Sequence, residues 1–336
     1  MASTATERFP AAIDWRAFLF LCATLATTAL AVGQDLRRGL VDADAVVVGR
    51  VVGKQPFDEN VVLHRLQIVR EVRGAGGASA VTVLDWPGLS LHNRPMPRQS
   101  RLYCLEDASQ QATRLGLPAD QGPYFKMVGW SGTNPLVGQD LDHDPAVAFA
   151  TLLAKSEAGA PPAETAAALQ DLALHGAPAI RAEAARYLTE RPLLRARLGD
   201  VHWSQLLSRT AGELEDIDYK IALAELCAEQ HIDGLVDALA LSLGPIADAE
   251  YARTVGRIAR LLHGEGATVR LQERLRQSPP EHRAAVLLAI GATDTESALV
   301  ALLQLRELGK DAAIDAALRE HRSPRAKEAV ARKAEK

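Results

Sequence analysis

Residues 43–137 carry the short-period pattern of hydrophobic and polar positions that is typical of β-strands. In this region His64 and Leu66 fall on one face of an extended chain, whereas Arg65 and Gln67 fall on the other. Clusters of Gly, Pro and Asn separate the apolar runs and indicate turns. We predict strands in the following five stretches: 43–54, 60–74, 79–86, 100–107 and 123–130. Such short strands predict a small all-β barrel or sandwich, and we expect an antiparallel barrel because the connections are short.

The hydrophobic positions change to helical spacing after Asp144-Pro145. Tyr251, Val255 and Ile258, for example, follow one another at the steps of one helix face. Glycine and proline interrupt this pattern at short intervals and predict about ten helices joined by short turns. Asp144 is predicted to cap the first of these helices, with proline in its first position.

The helical half contains an internal repeat. Tyr219, Tyr251 and His282 each follow an acidic residue, and they are separated by 32 and then 31 residues. Two apolar positions recur behind them and are predicted to be buried, namely Leu223, Val255 and Val286 at the first, and Leu226, Ile258 and Ala289 at the second. First helices are predicted at 202–213, 232–243 and 267–277, with flanking helix pairs at 164–175/179–190 and 294–308/311–321. This period predicts an α-solenoid, with a plain all-α bundle as the alternative.

Both halves resemble known architectures. The helix pairs resemble HEAT-like repeats. The β-rich half resembles the OB-like barrel of netrin-like modules and tissue inhibitors of metalloproteases, and the resemblance lies in ADAVVVGRV (43–51), VRG (72–74), VTV (81–83) and RLYCLED (101–107). Those inhibitors use an N-terminal cysteine, which the mature start expected near Val32 lacks, so inhibition by that route is not expected.

The expected fold class is therefore α+β and multidomain, with a small five-stranded antiparallel β-barrel followed by an α-solenoid of HEAT-like helix pairs. The barrel is assigned to residues 34–143 and the solenoid to residues 144–321. Residues 322–336 hold six basic and two acidic residues and are expected to form a flexible, solvated tail, with contact to an anionic surface or partner as the alternative.

Residues 1–33 are predicted to form a targeting segment. Residues 17–33 are uncharged, and Ala29-Leu30-Ala31 has the small-x-small form of a signal-peptidase site. We expect cleavage near Val32 and a secreted or periplasmic body. The alternatives are an uncleaved anchor formed by residues 17–33, with the body outside the cytoplasm, and a buried N-terminal helix.

Composition and charge narrow the function classes. The chain has 336 residues, of which 48% are hydrophobic and 24% charged, which excludes disordered, collagen-like and coiled-coil proteins. Residues 144–321 carry 18 basic and 26 acidic residues, so we expect no nucleic-acid partner. Cys22 lies in the leader, whereas Cys104 and Cys227 lie in different predicted domains, which argues against a disulfide framework and a cysteine zinc site.

Two segments resemble motifs of known chemistry, but each lacks a residue that its motif requires. Residues 129–133 approach a nucleophile elbow around Ser131, but Thr133 stands where that motif needs glycine. Asp140, Asp142 and Asp144 alternate as in a calcium loop, yet Pro145 stands where that loop needs glycine. The histidines are scattered and no nucleotide-binding motif is present. We therefore predict no catalytic residues, no cofactor and no metal.

The expected function is that of an exported binding or scaffold protein for a protein or peptide partner, touching a membrane only through an uncleaved N-terminal segment. Tyr219, Tyr251 and His282 would line up along one edge of a solenoid and are the candidate partner-binding strip. The alternative is that each ring packs between repeats and is buried. A rival function is a hydrolase or protease-inhibitor-like activity on the β-domain loops near Trp86, Trp130 and Ser131.

Overall fold

The computed structural model describes residues 36–87, 99–128, 135–211, 216–244, 248–309 and 311–331. Within these ranges the chain forms a short helix, α1, at residues 36–42, then a closed β-barrel, and then a long series of helices. The predicted α+β class is confirmed. The leader assigned to residues 1–33 lies outside the described residues.

The barrel is built from strands rich in β-branched residues, which pack well on a pleated surface. The strands are β1 (Ala45–Pro56), β2 (Val62–Arg73), β3 (Ala80–Asp85), β4 (Arg101–Asp107) and β5 (Tyr124–Met127). Their order is β1-β2-β3-β5-β4, and β4 pairs with β1 to close the barrel. Each of the five predicted stretches therefore overlaps a strand, although β1 extends two residues beyond the predicted end at residue 54, and the predicted barrel is confirmed.

One strand pair is parallel, so the prediction of a wholly antiparallel barrel is wrong in this detail. β5 lies between β3 and β4 and runs parallel to β3, with Tyr124 opposite Thr82, whereas the other pairs among these strands are antiparallel. The connection from β3 to β5 passes through β4 and helix α2 (Ser109–Arg114), and returns the chain to the end where β3 begins. Short connections enforce antiparallel pairing between consecutive strands and place no such constraint on β3 and β5.

Apolar side chains from all five strands fill the barrel interior. Val47, Leu66, Val83, Tyr103 and Phe125 belong to this interior cluster. Along β2, Leu66 is buried while its neighbours on either side in the chain are exposed, as the alternating pattern predicts.

The helical half begins at Pro145. Asp144 caps the first helix, since its Oδ1 accepts hydrogen bonds from the N–H groups of Ala146 (3.0 Å) and Val147 (3.1 Å), and the predicted cap is confirmed. The helices are α3 (Pro145–Glu157), α4 (Pro162–His175), α5 (Pro178–Glu190), α6 (Pro192–Arg195), α7 (Asp200–Thr210), α8 (Ile217–Glu229), α9 (Leu235–Leu241), α10 (Ala249–His263), α11 (Ala267–Gln277), α12 (Arg283–Ala292), α13 (Glu296–Leu308), α14 (Ala312–Glu320) and α15 (Pro324–Ala331).

These helices stack as successive pairs in a solenoid-like arrangement. The second helices of the pairs, α5, α8, α10, α12 and α14, contact one another more extensively than the first helices do. They therefore form the inner, more tightly spaced layer. The predicted repeat register is confirmed, because all six of its apolar positions are buried: Leu223, Val255, Val286, Leu226, Ile258 and Ala289.

Glycine makes the closest contacts in the inner layer possible. A Cβ atom on Gly256 of α10 would lie 2.2 Å from the carbonyl oxygen of Ala289 on α12, and one on Gly291 would lie 2.1 Å from the carbonyl oxygen of Ala317 on α14. The helix backbones are thus in direct contact at these two positions.

The barrel and the helices share a hydrophobic core. Leu36 and Leu40 of α1, Val46 and Val48 of β1, and Phe149 of α3 belong to one cluster that continues through the helical half. The Arg37 backbone N–H also donates to the Glu183 carboxylate on α5 at 3.0 Å. Helix α1 therefore connects the outer face of the barrel to the inner helix layer.

The C-terminal segment expected to be a flexible tail contains helix α15. Its Ala326 is fully buried, and α15 contacts α13 and α14. Ala326 and Val330 are the two side chains of α15 that pack on the core, and so few apolar positions are hard to recognise in a segment rich in charged residues. Across the ranges described above, we find no helix with the length and apolar character needed to cross a membrane.

Candidate functional site

The residues of the predicted binding strip occupy packing positions. Tyr219 and Tyr251 are 1% and 2% exposed, and His282 is half-buried in a short 3₁₀ turn before α12. The Tyr251 hydroxyl forms a hydrogen bond with the Ser242 hydroxyl, and burial raises the pKa of Tyr251 to about 12. An exposed strip needs accessible rings, so these residues do not form one.

The tyrosines instead join successive helix pairs. The Arg181 guanidinium of α5 lies 5.9 Å from the Tyr219 ring centre, and the Lys220 ammonium of α8 lies 5.3 Å from that of Tyr251. Helices α5 and α8 therefore each place a cation over the tyrosine ring of the following repeat. The recurrence seen in the sequence reflects this contact between repeats.

A cleft of about 600 Å³ opens where the barrel meets the first two long helices. Its walls come from the end of β2, the loop before α3, and helices α3 and α4. Apolar side chains line its floor, including Val72, Leu141, Val147, Leu152 and Leu172. The volume lies in the range of ligand-binding clefts in proteins.

Arginines of β2 hold the cleft walls in place. Arg70 donates to the Leu141 carbonyl oxygen at 3.1 Å and forms an ion pair with Asp142 in the loop before α3. Arg73 forms an ion pair with Glu157 at the end of α3 and donates to the Ala43 carbonyl oxygen at 2.8 Å. The two halves of the molecule thus meet in a defined orientation at this cleft.

Opposite charges stand at the rim of the cleft. Lys155 lies in the last turn of α3 and Asp171 lies on α4, and both are exposed. Their side chains form no hydrogen bond or ion pair with any residue that the structure describes. An apolar floor with a free cation and a free anion at its edge suits a peptide segment that carries apolar and charged side chains.

The three alternating aspartates before α3 serve separate structural roles. Asp140 pairs with His143 at 2.8 Å, and this hydrogen bond lowers the pKa of the Asp140 carboxyl group. Asp142 pairs with Arg70, and Asp144 caps α3. The described residues contain no group of three or more His, Cys, Asp or Glu side chains arranged to hold a metal ion.

The two cysteines of the body are buried thiols. Burial raises the pKa of Cys104 in β4 and of Cys227 in α8 to about 12 each. Both thiols are therefore protonated near neutral pH, where a thiol reacts poorly as a nucleophile.

The loop residues of the rival enzyme hypothesis are only partly described. Residues 129–133, with Trp130 and Ser131, lie outside the described residues. Trp86 is half-buried and packs against a small cluster that contains Val61, Leu63 and Tyr124. This environment is that of a packing residue.

Comparison of the chain with protein-family models, with curated proteins and with solved structures found no match.

Sequence patterns did not reveal the cleft. Arg70, Lys155 and Asp171 lie on three different elements, and each is an ordinary charged position within its own element. Their juxtaposition depends on how the barrel docks on α3 and α4. The available signal was the β2 position of Arg70, which falls on the same predicted face as Leu66 although it is charged.

Proposed function

We propose that this protein is a non-catalytic binding or scaffold protein whose partner is a protein or peptide. The observation that carries this proposal is the cleft between barrel and helices, with its apolar floor and its exposed Lys155 and Asp171. The partner segment inserts apolar side chains between β2 and α3, and its own charges face Lys155 and Asp171. Because both halves contribute to the cleft, recognition needs the whole two-part body.

We also propose which known fold each half of the protein adopts. The barrel is proposed to be an OB-like module of the netrin-like type, supported by the strand order β1-β2-β3-β5-β4 in a closed barrel. The helices are proposed to be HEAT-like repeats, supported by the stacked pairs and their recurring buried positions. A curved stack of helix pairs is a common scaffold for protein recognition.

The binding proposal is tested by obstructing the cleft. Ala148 is an exposed residue of α3 in the cleft wall, so Ala148→Arg adds bulk without replacing a core side chain. Ala331→Arg is the matched control, because Ala331 is an exposed alanine at the end of α15. The native protein and both variants are incubated with the natural extract, and the retained proteins are compared.

A partner of the cleft is retained by the native protein and by Ala331→Arg, but not by Ala148→Arg. With that partner purified, Ala148→Arg should weaken binding by at least about tenfold, which corresponds to about 1.4 kcal/mol. Equal retention of every protein by all three forms would refute the assignment of the cleft as the binding site.

Export to a secreted or periplasmic location is part of the proposal and rests on residues 17–33 and on Ala29-Leu30-Ala31. Mass spectrometry of the natural protein should find an N-terminus near Val32. An intact Met1 in the membrane fraction would instead support an anchor formed by residues 17–33.

A further inference from the structure

A second cleft, of about 170 Å³, lies on the inner helix layer near its C-terminal end. Four arginines line it. Arg253, Arg257 and Arg260 project from one face of α10 at spacings of four and three residues, and Arg322 follows α14. Three of the four belong to the segment 144–321, where acidic residues outnumber basic ones by 26 to 18.

Carboxylates at the edge of this arginine cleft fix the guanidinium groups. Arg253 binds Glu320 through two hydrogen bonds, from Nε at 2.9 Å and from Nη2 at 2.8 Å. This contact spans from α10 to the end of α14. Arg260 donates from Nη1 to Asp294 Oδ2 at 3.1 Å. The arginines therefore hold defined positions before any ligand arrives, which lowers the entropic cost of binding.

Hydrogen bonds hold the turn that contains Asp294, between α12 and α13, in place. Asp294 has a φ of 51°, a left-handed conformation that Asp tolerates better than most residues. Its Oδ1 accepts a hydrogen bond from the Arg322 backbone N–H at 2.9 Å. The buried His321 ring bonds through Nε2 to the Thr295 carbonyl oxygen at 2.9 Å, which secures the start of the Arg322 segment.

Carboxylates in and around the arginine cleft pair with part of its guanidinium groups. Asp294 and Glu320 are the acidic residues in the wall of the arginine cleft, and Glu250 pairs with Arg257 from outside it at 2.9 Å. In the cleft wall itself, four guanidinium groups therefore meet two carboxylates, and outside it Glu225 and Glu265 interact electrostatically with Arg257 and Arg260. Arg257 forms its hydrogen bonds through Nη2 and Arg260 forms its hydrogen bond through Nη1, so each guanidinium group has further N–H donors that form no hydrogen bond with a described residue.

We propose that the arginine cleft binds a phosphoryl group, either as free phosphate or as a phosphate monoester, between Arg257, Arg260 and Arg322. Several guanidinium groups that converge from two chain segments match the many acceptors of a tetrahedral dianion, whereas a carboxylate is satisfied by a single arginine. The volume of about 170 Å³ is sufficient for a phosphoryl group. This site is separate from the cleft at the barrel, and its assignment does not depend on the function proposed there.

The test measures phosphate binding to the full chain by ³¹P NMR of inorganic phosphate and by thermal unfolding at constant ionic strength. A ligand that binds the native state raises the unfolding temperature in a saturable manner. The double variant Arg257→Gln/Arg260→Gln removes two guanidinium groups of the arginine cleft. The matched control Arg270→Gln/Arg276→Gln removes two exposed arginines that also form ion pairs, with Asp237 and Glu273, away from the cleft.

The native protein and the control should bind phosphate with equal affinity, whereas the double variant should bind at least about tenfold more weakly. The single variant Arg257→Gln replaces a half-exposed side chain and serves if the double variant fails to fold. Binding of phosphoserine as well as phosphate identifies a site for esters, and binding of phosphate alone identifies a site for the free ion. Absence of saturable phosphate and phosphoserine binding, or equal loss in the control, overturns the proposal.

Discussion

The barrel and the helical half solve the problem of burying apolar surface in different ways. The barrel closes a sheet on itself, so that β1 pairs with β4 and β3 with β5 across long stretches of chain. The helical half adds one pair after another, and each second helix contacts its immediate neighbours. Closure makes each strand depend on all the others, whereas stacking makes each repeat depend on the adjacent ones.

The largest predicted effects come from truncating one core leucine in each half. Leu66 and Leu226 are both fully buried, so Leu66→Ala and Leu226→Ala should each cost about 2–5 kcal/mol of unfolding free energy. The difference should appear in native-state hydrogen exchange. Leu66→Ala should reduce protection in all five strands, whereas Leu226→Ala should reduce it mainly in α5, α8 and α10.

The control for this pair is Leu308→Ala, because Leu308 is 85% exposed. It should change stability by no more than about 0.5 kcal/mol. Equal loss of protection in the barrel and in the helices for Leu226→Ala would show that the shared core at α1 couples the halves into one cooperative unit.

A smaller change in stability is predicted for a substitution at Gly256. Its sign depends on how closely α10 and α12 pack. In an exposed helix interior, alanine is more favourable than glycine by about 1 kcal/mol. At Gly256 the added methyl group would overlap the Ala289 carbonyl oxygen, so Gly256→Ala should destabilise the protein by about 1–3 kcal/mol through separation of α10 and α12. Chemical denaturation measures the change.

Gly309→Ala is the matched control for this substitution. A Cβ atom at Gly309 meets nothing within 4 Å, and the backbone there has φ −172°, which any residue adopts. Gly309→Ala should therefore leave the free energy of unfolding almost unchanged. A stabilising Gly256→Ala would mean that the inner helices are less closely packed than described.

The same contrast explains what the sequence could predict. Helix pairs leave a local, periodic record, so that the positions of Leu223, Val255 and Val286 were predictable to the residue. Individual strands were also predictable from alternation. The parallel pairing of β5 with β3 was not, because it follows from the route of the chain through β4 and α2, which no local pattern encodes.

For the same reason, local sequence patterns could not predict the candidate site. The cleft at Arg70, Lys155 and Asp171 exists because the barrel docks on α3 and α4. The recurrence of Tyr219 and Tyr251 was correctly detected, but recurrence alone does not distinguish an exposed strip from a contact between repeats. Their burial and the cations over their rings support the contact.

A further prediction concerns Asp144, the residue at which the strand pattern gives way to the helical one. Its side chain accepts two hydrogen bonds at the start of α3, and its Oδ2 also accepts one from the Gly138 N–H at 2.8 Å. Asp144→Ala should cost about 0.5–2 kcal/mol in chemical denaturation. Asp144→Asn keeps an acceptor oxygen for the α3 N–H groups but offers none to the Gly138 N–H, so it should lose less than Asp144→Ala. An equal loss in both would point to the charge and the Gly138 contact rather than to capping.

The smallest effect is predicted at Glu183, the carboxylate that links α1 to the inner helix layer. Its side chain is fully buried and accepts from the Arg37 backbone N–H at 3.0 Å and from Arg186 at 3.1 Å. Burial raises the pKa of the Glu183 carboxyl group, and the nearby Arg186 and Arg37 only partly oppose this. In Glu183→Gln, Arg186 keeps its ion pair with Asp218 and Arg37 keeps its ion pair with Glu190, so neither cation is left alone.

The sign of the pH dependence follows from this raised pKa. The folded protein holds the Glu183 proton at a pH where the unfolded chain has released it, so native stability falls as pH rises from the ordinary glutamate range through the raised pKa. Glu183→Gln lacks this contribution. Its stability relative to the native protein should therefore increase with pH in denaturation curves, while the control Glu190→Gln, which alters an exposed carboxylate, should show no such trend. The opposite result would be a free energy of unfolding that rises with pH in the native protein relative to Glu183→Gln. It would mean that the attraction of Arg186 and Arg37 outweighs the effect of burial on Glu183. The junction between the two halves would then be held by charge rather than by its shared apolar core.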